Sequence, residues 1–287
     1  MRAIVAAVSG AVVLSALALP AAAQADARTG GRTVTGFTGF TGFTAKSVGA
    51  LDAGGIDTIS RGVVNGGKDI VLGTTTKKTV GITYTVTSPS GFTTSWAALW
   101  QGTDSSTAGA ITGALGAPTD STCVATAADP TVHTCKATLP IDTYVDMFHN
   151  GAAGTWKLLV LTYDATGEVQ SFNDTVGTIK IKRAAKLTAN AAPEPVKKGA
   201  TITVTGSLTR ADWNSAKYAG YGSQKVALQF RKAGTTNYVN VKGITATSKG
   251  ALKTTVKAAQ DGYYRFTYAG SATTGPVSAT GDYVDVK

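Results

Sequence analysis

The stretch P-V-K-K-G-A-T-I-T-V-T-G-S-L-T-R, running from Pro195 to Arg210, decides the fold, because it marks where one module gives way to another. Lys197-Lys198-Gly199 forms a charged turn. Ile202 and Val204, with Leu208 beyond them, then alternate with Thr201, Thr203 and Thr205, the period-two pattern of a half-buried strand. Gly206 interrupts the alternation as a bulge would.

Downstream of this strand the same signature recurs. Gln224–Arg231 turns Val226, Leu228 and Phe230 to one side, and Tyr238–Lys242, Ala251–Val256, Gly262–Tyr268 and Val277–Val286 follow. Lys186–Asn190 precedes the strand and Pro193-Glu194-Pro195 breaks the chain between them. About seven strands at this spacing predict an immunoglobulin-like β-sandwich over 186–287. Tyr264, after Asp261-Gly262, takes the place of the tyrosine that closes a corner in such folds.

Upstream lies a second set of strands, predicting an N-terminal β-sandwich over 47–185. Val80, Ile82, Tyr84 and Val86 alternate with Gly and Thr, and Ser88-Pro89-Ser90-Gly91 ends that run. Ser95–Trp100 is the next strand. Leu158–Leu161 is apolar on both parities, as in a strand covered on both faces, and Val176–Ile181 is the last. Val63-Val64 and Ile70-Val71-Leu72, separated by Asn65-Gly66-Gly67-Lys68, read as two short apolar runs joined by a turn or a hairpin. The Gly/Ser/Thr/Ala-rich stretch 101–121 reads as a long loop, and Ile141–Asn150 as a short helix or turn. Ala184–Lys186 is then a short linker between two separately cored modules. The fold class is all-β, two tandem sandwiches.

The N-terminus reads as an export leader over residues 1–27: Arg2, an apolar run Ala3–Leu19, then small-x-small patterns at Ala23-Gln24-Ala25 and Ala25-Asp26-Ala27. No later run is long enough to span a bilayer. Residues 28–46 contain Gly-Phe-Thr three times, Gly36–Thr44, and read as a disordered linker. The mature chain is therefore expected outside the cell, secreted or wall-associated, as a monomer. Cys123 and Cys135 are the only cysteines; in an exported chain they predict a disulfide across a hairpin, with Asp129-Pro130 midway between them.

Charge is unevenly placed. The formal net charge is +10, and residues 28–185 carry 12 Lys/Arg against 11 Asp/Glu while residues 186–287 carry 14 against 5. A basic module outside the cell suits an anionic cell-wall polymer or an acidic glycan, and nucleic acid fits an exported chain less well. The competing reading is that scattered lysines keep strand faces soluble and edges unpaired. Arg210, Trp213, Lys217, Tyr218 and Tyr221 bring aromatic rings and cations together between two strands, and are the candidate ligand-binding set. Their alternative role is to cap one end of the sandwich.

Catalytic motifs are lacking. The two histidines, His133 and His149, fall in no metalloprotease pattern, and neither a nucleophile elbow nor a phosphate loop occurs. A non-catalytic binding or structural role is expected; the enzyme alternative is a carboxylate pair that the sequence does not single out. For calcium the best set is Asp164, Glu168, Asn173 and Asp174, with Asp104 and Asp120 flanking the long loop, although hairpin Asp and Asn also shape turns.

L-T-R-A-D-W (Leu208–Trp213), K-Y-A-G-Y (Lys217–Tyr221), V-A-L-Q-F-R (Val226–Arg231), D-G-Y-Y-R-F (Asp261–Phe266) and A-T-G-D-Y-V-D-V (Ala279–Val286) together resemble a C-terminal domain recurring in exported actinobacterial proteins. The resemblance covers about a hundred residues; the cysteine pair and G-T-W-K-L are weaker markers upstream. Most such proteins are uncharacterised and some are labelled calcium-binding. The resemblance implies fold and export, and no functional residues.

Overall fold

The computed structural model describes residues 57–105 and 110–287. The stretches read above as an export leader (1–27) and a linker (28–46), and the residues up to 56, lie outside them, as do 106–109. The first sandwich has a four-stranded sheet built from β1 (Thr58–Val64), β3 (Lys77–Thr87), β7 (Val132–Asp142) and β6 (Thr122–Ala125), in the order β1-β3-β7-β6. Facing it is a sheet of β2 (Ile70–Leu72), β9 (Val169–Arg183), β8 (Gly154–Tyr163), β4 (Thr94–Gly102) and β5 (Ile111–Gly116), in the order β2-β9-β8-β4-β5. All pairs are antiparallel except β2 with β9. This is the strand order of an immunoglobulin sandwich with a split first strand.

Burial follows the alternation. Val80, Ile82, Tyr84 and Val86 are each 0–1 % exposed and meet Leu158 and Val160 from the other sheet in one core. β8 is apolar on both parities because its outer face is covered too: Leu159 and Leu161 join Ala98, Trp100 and Ala114 in a second cluster, edged by Trp96, Tyr163 and Phe172.

Two local readings are corrected. Asn65–Gly67 is a 3-10 turn that carries the chain from one sheet to the other, so β1 and β2 do not form a hairpin. Residues 111–116 are a strand and not part of a loop. Their glycines sit under indoles: a Cβ on Gly113 would lie 2.6 Å from Trp156 Cη2, and one on Gly116 2.6 Å from Trp96 Cζ2. The small residues that resemble loop composition are what lets the strand pass beneath two tryptophans. α1 (Thr143–Asp146) occupies the expected short helix, its first turn capped by Asp142, which accepts from the Tyr144 amide at 3.0 Å.

In the second sandwich, β12 (Thr201–Asp212) is the long strand. It pairs with β10 (Ala185–Leu187), β11 (Asn190–Ala192), β13 (Lys217–Gly220) and β16 (Ala251–Lys257). The opposing sheet runs β15 (Val239–Thr245), β14 (Lys225–Lys232), β17 (Gly262–Tyr268), β18 (Val277–Ser278), with β19 (Asp282–Val284) also on β17. Gly206 is not a bulge, since β12 stays in unbroken register with β16 from Thr201 to Ser207. It marks the handover between β11 and β10, where a Cβ would meet the Thr188 carbonyl oxygen at 2.1 Å. Tyr264 is buried against Phe230, ring centroids 4.8 Å apart, and Asp261 secures the corner by accepting from the Val286 amide at 2.8 Å.

The cores are not wholly separate. Ala211 and Trp213, at and just beyond the end of β12, belong to the core of the first sandwich, with Tyr218 packed against it.

Candidate functional site

Cys123 and Cys135 are directly opposed on β6 and β7 and bonded, with Cα atoms 4.0 Å apart. The bridge staples an outer strand to its neighbour within one sheet; it does not cross the core between sheets as in antibody domains.

The candidate aromatic set is drawn together, but not as a free platform. Trp213 is 1 % exposed; its indole donates to the Gly73 carbonyl at 2.8 Å and its amide to Asn150 Oδ1 at 2.9 Å, so it plugs the first sandwich. Its ring cannot stack on a ligand, and the sandwich it closes is the neighbouring one. Asn150 also donates to Asp212 Oδ1 at 2.9 Å and to Asn214 Oδ1 at 2.8 Å. Burial alone would push the Asp212 carboxyl up, but hydrogen bonds from Asn150, Ser215 and Asn214 outweigh it and hold it below the ordinary aspartate range. Tyr218 is half-buried with the Lys186 ammonium 4.0 Å over its ring. Tyr221 packs edge-on to Tyr268 at 5.7 Å and lies under the Arg210 guanidinium at 3.9 Å. Lys217 alone of the five is exposed.

The calcium set is divided between the β8–β9 turn and strand β9. Asp164 Oδ1 accepts from the Thr166 amide and hydroxyl and the Glu168 amide, at 2.8, 2.6 and 3.0 Å, closing the β8–β9 hairpin. Farther along β9, Asn173 donates to the Ile59 carbonyl at 3.0 Å and Asp174 accepts from Ser105 at 2.6 Å. No cluster of three His, Cys, Asp or Glu with metal-binding spacing occurs among the described residues. Asp164 also lines an open groove of about 540 Å³ with Trp96, Tyr163 and Asp120. Of the histidines, His133 packs edge-on to Phe92 and His149 to Phe148, each at 5.0 Å.

The surface that sequence reading missed is the outer face of the β15-β14-β17 sheet. Alternate residues pointing away from the core form two rows. In one, the Arg231 guanidinium lies 3.9 Å from the Tyr263 ring centroid and 5.3 Å from that of Tyr238, and Tyr263 packs on Tyr283 at 5.1 Å. In the other, Arg265 Nε donates to Gln229 Oε1 and Gln229 Nε2 to Asn240 Oδ1, both at 2.9 Å. Arg265 also lies 3.7 Å from the Tyr238 ring, joining the rows. Arg231 is braced by the Thr235 carbonyl, and the tyrosines beside it hold its guanidinium more firmly protonated. Neither arginine forms an ion pair among the described residues. The outward parity of V-A-L-Q-F-R and D-G-Y-Y-R-F carried the signal: tyrosine and arginine stand where a merely solvated face carries threonine and lysine.

No protein-family model matches the sequence, and no curated protein matches it. Solved structures with some likeness include the fibronectin(III)-like modules of Clostridium thermocellum CbhA (13% identity, TM-score 0.30, covering 79% of this chain and 93% of that one). Others are the D00-D0 domain of Intimin (15%, TM-score 0.23, 79% and 99%) and three N-terminal domains of the bacteriophage RB49 Highly Immunogenic Outer Capsid protein (9%, TM-score 0.32, 80% and 71%). None of these names the actinobacterial family that the second module resembles. The assignment to tandem immunoglobulin-like sandwiches rests on the strand order and register above. No helix among the described residues is long and apolar enough to cross a membrane.

Proposed function

We propose that this chain is an exported, non-catalytic binding protein, held at the cell envelope by its second sandwich through an acidic glycan or another anionic wall polymer. The observation that carries this reading is the Arg231–Arg265 face. Tyrosine faces stack on sugar rings, planar guanidinium groups pair with carboxylate or phosphate substituents, and the Gln229–Asn240 pair adds amide groups for hydroxyls. Tyrosine and arginine are also the side chains that concentrate binding energy at protein surfaces. The excess of lysine and arginine over 186–287 adds long-range attraction. The first sandwich, nearly balanced in charge, serves as the rigid body to which this module is fixed.

The test is retention of the purified tandem protein on isolated cell wall across a salt series. Binding is expected at low salt and to decline as salt rises. Arg231→Gln and Tyr263→Phe should each weaken it while changing the melting temperature little, because both side chains lie on the outer face and Tyr263→Phe keeps the ring packed on Tyr283. Absence of binding at every salt concentration overturns the reading.

A further inference from the structure

Arg183 ends β9, where the chain leaves the first sandwich. Its amide donates to the Thr273 carbonyl and its own carbonyl accepts from the Gly275 amide, both at 2.9 Å, so it lies against the 269–275 loop of the second sandwich. The residue is 6 % exposed, yet its Nε is buried with no hydrogen-bond acceptor. Burial, and after it the charge of Arg210, lowers its guanidinium to about 10.

Arg210 holds its guanidinium over the Tyr221 ring and donates through Nη1 to Thr274 Oγ1 at 3.1 Å. Thr274 is fully buried and reaches the Tyr221 hydroxyl at 3.5 Å, to which Tyr268 also points at 3.4 Å. Arg183 is bridged through its backbone to Thr274, so it stands beside a network in which Arg210 and three hydroxyls meet, with no ion pair to either arginine among the described residues. Asp212, the one carboxylate acting on Arg183, already accepts from Asn150, Asn214 and Ser215 at the joint.

A desolvated cation without a partner is costly, and a second cation beside it adds to that cost. An anion reverses both signs. The donors outnumber what the two oxygens of a carboxylate can accept, and they suit a tetrahedral group with four. We infer that the joint between the sandwiches binds a phosphate-type oxyanion, held by Arg183 and Arg210 with Thr274 and Tyr221 as further donors. The half-exposed Arg210, Tyr221 and Ser271 leave it a route to solvent. Because Arg183 comes from the last strand of one sandwich and the other groups from the next, the ligand cements the two together. The group is either free phosphate or one unit of a phosphodiester polymer.

The experiment uses the whole tandem protein, melted in chloride and in inorganic phosphate at equal pH and ionic strength. Phosphate should raise the melting temperature by about 2–4 °C or more at saturation, increasing with the logarithm of its concentration. Arg183→Met and Arg210→Met should each abolish that rise, and the exposed Lys253→Gln should keep it. Arg183→Met should still fold, since it replaces an unpaired buried cation by an apolar chain of similar length. Equal melting in the two salts, or a phosphate response surviving in Arg183→Met, overturns the site. A parallel titration with a soluble poly(glycerol phosphate) separates the sources: Arg183-dependent binding of the chain assigns the site to a polymer, and a response to inorganic phosphate alone assigns it to the free ion. Either outcome is independent of wall retention, which tests the outer face.

Discussion

Trp213 shows how far a residue can be read without its partners. Its size and its place among glycines and tyrosines mark it as important in the sequence, but the Gly73 carbonyl that receives its indole lies 140 residues away, and no local pattern points there. Trp213→Ala should cost about 3–5 kcal/mol in equilibrium unfolding by urea, because it leaves a cavity in the first sandwich although the residue belongs to the second. The cysteine pair was legible for the opposite reason: with two thiols in the chain, one pairing exists. Replacing both Cys123 and Cys135 by Ser should lose about 3 kcal/mol in the chain-entropy view, measured by the same titration under non-reducing conditions. Arg231, Arg265 and Tyr263 were illegible as a site because outward positions are discounted as solvated, and only the register sets them side by side.

Among the elements, the strands with strict alternation, β3, β14 and β17, were readable because burying one face of a sheet imposes period two. β5 was not, since its sequence answers to the tryptophans above it more than to strand propensity. Gly116→Ala should therefore destabilise: the new Cβ would sit 2.6 Å from Trp96 Cζ2, and overpacking of this kind costs about 1–3 kcal/mol. The expected signature is a lower urea midpoint together with a changed tryptophan emission spectrum. The turn before β2 was legible and the sheet it leads to was not, because Asn-Gly-Gly serves a crossover as well as a hairpin, and sequence does not say which sheet the chain enters next. β15 is an edge strand with Val239 60 % and Val241 42 % exposed; the register shift in its pairing with β14 and the exposed Lys242 protect it from pairing with another chain.

For the whole molecule, tandem sandwiches were legible and the joint between them was not, because reading Ala184–Lys186 as a linker says nothing about what packs across it. A fragment of residues 186–287 leaves Ala211, Trp213 and part of Tyr218 without the surface that covers them. It is expected to melt below the tandem protein and to bind a hydrophobic dye that the tandem protein does not. The joint should also respond to acid. Asp212 is held below its ordinary range, so its contribution is present above the unfolded aspartate pKa and is lost as pH falls through the lower folded value. Trp213 emission should shift to the red on acidification below that range, and Asp212→Asn should flatten the response. The same joint governs how the chain carries load. Ala184 is hydrogen-bonded on both sides, its amide to Leu72 and its carbonyl to Ala211, so the middle of the molecule holds no slack. A pull on the two ends meets either a short ladder of backbone bonds or an indole drawn from its socket, and the two sandwiches move as one lever until one of these yields.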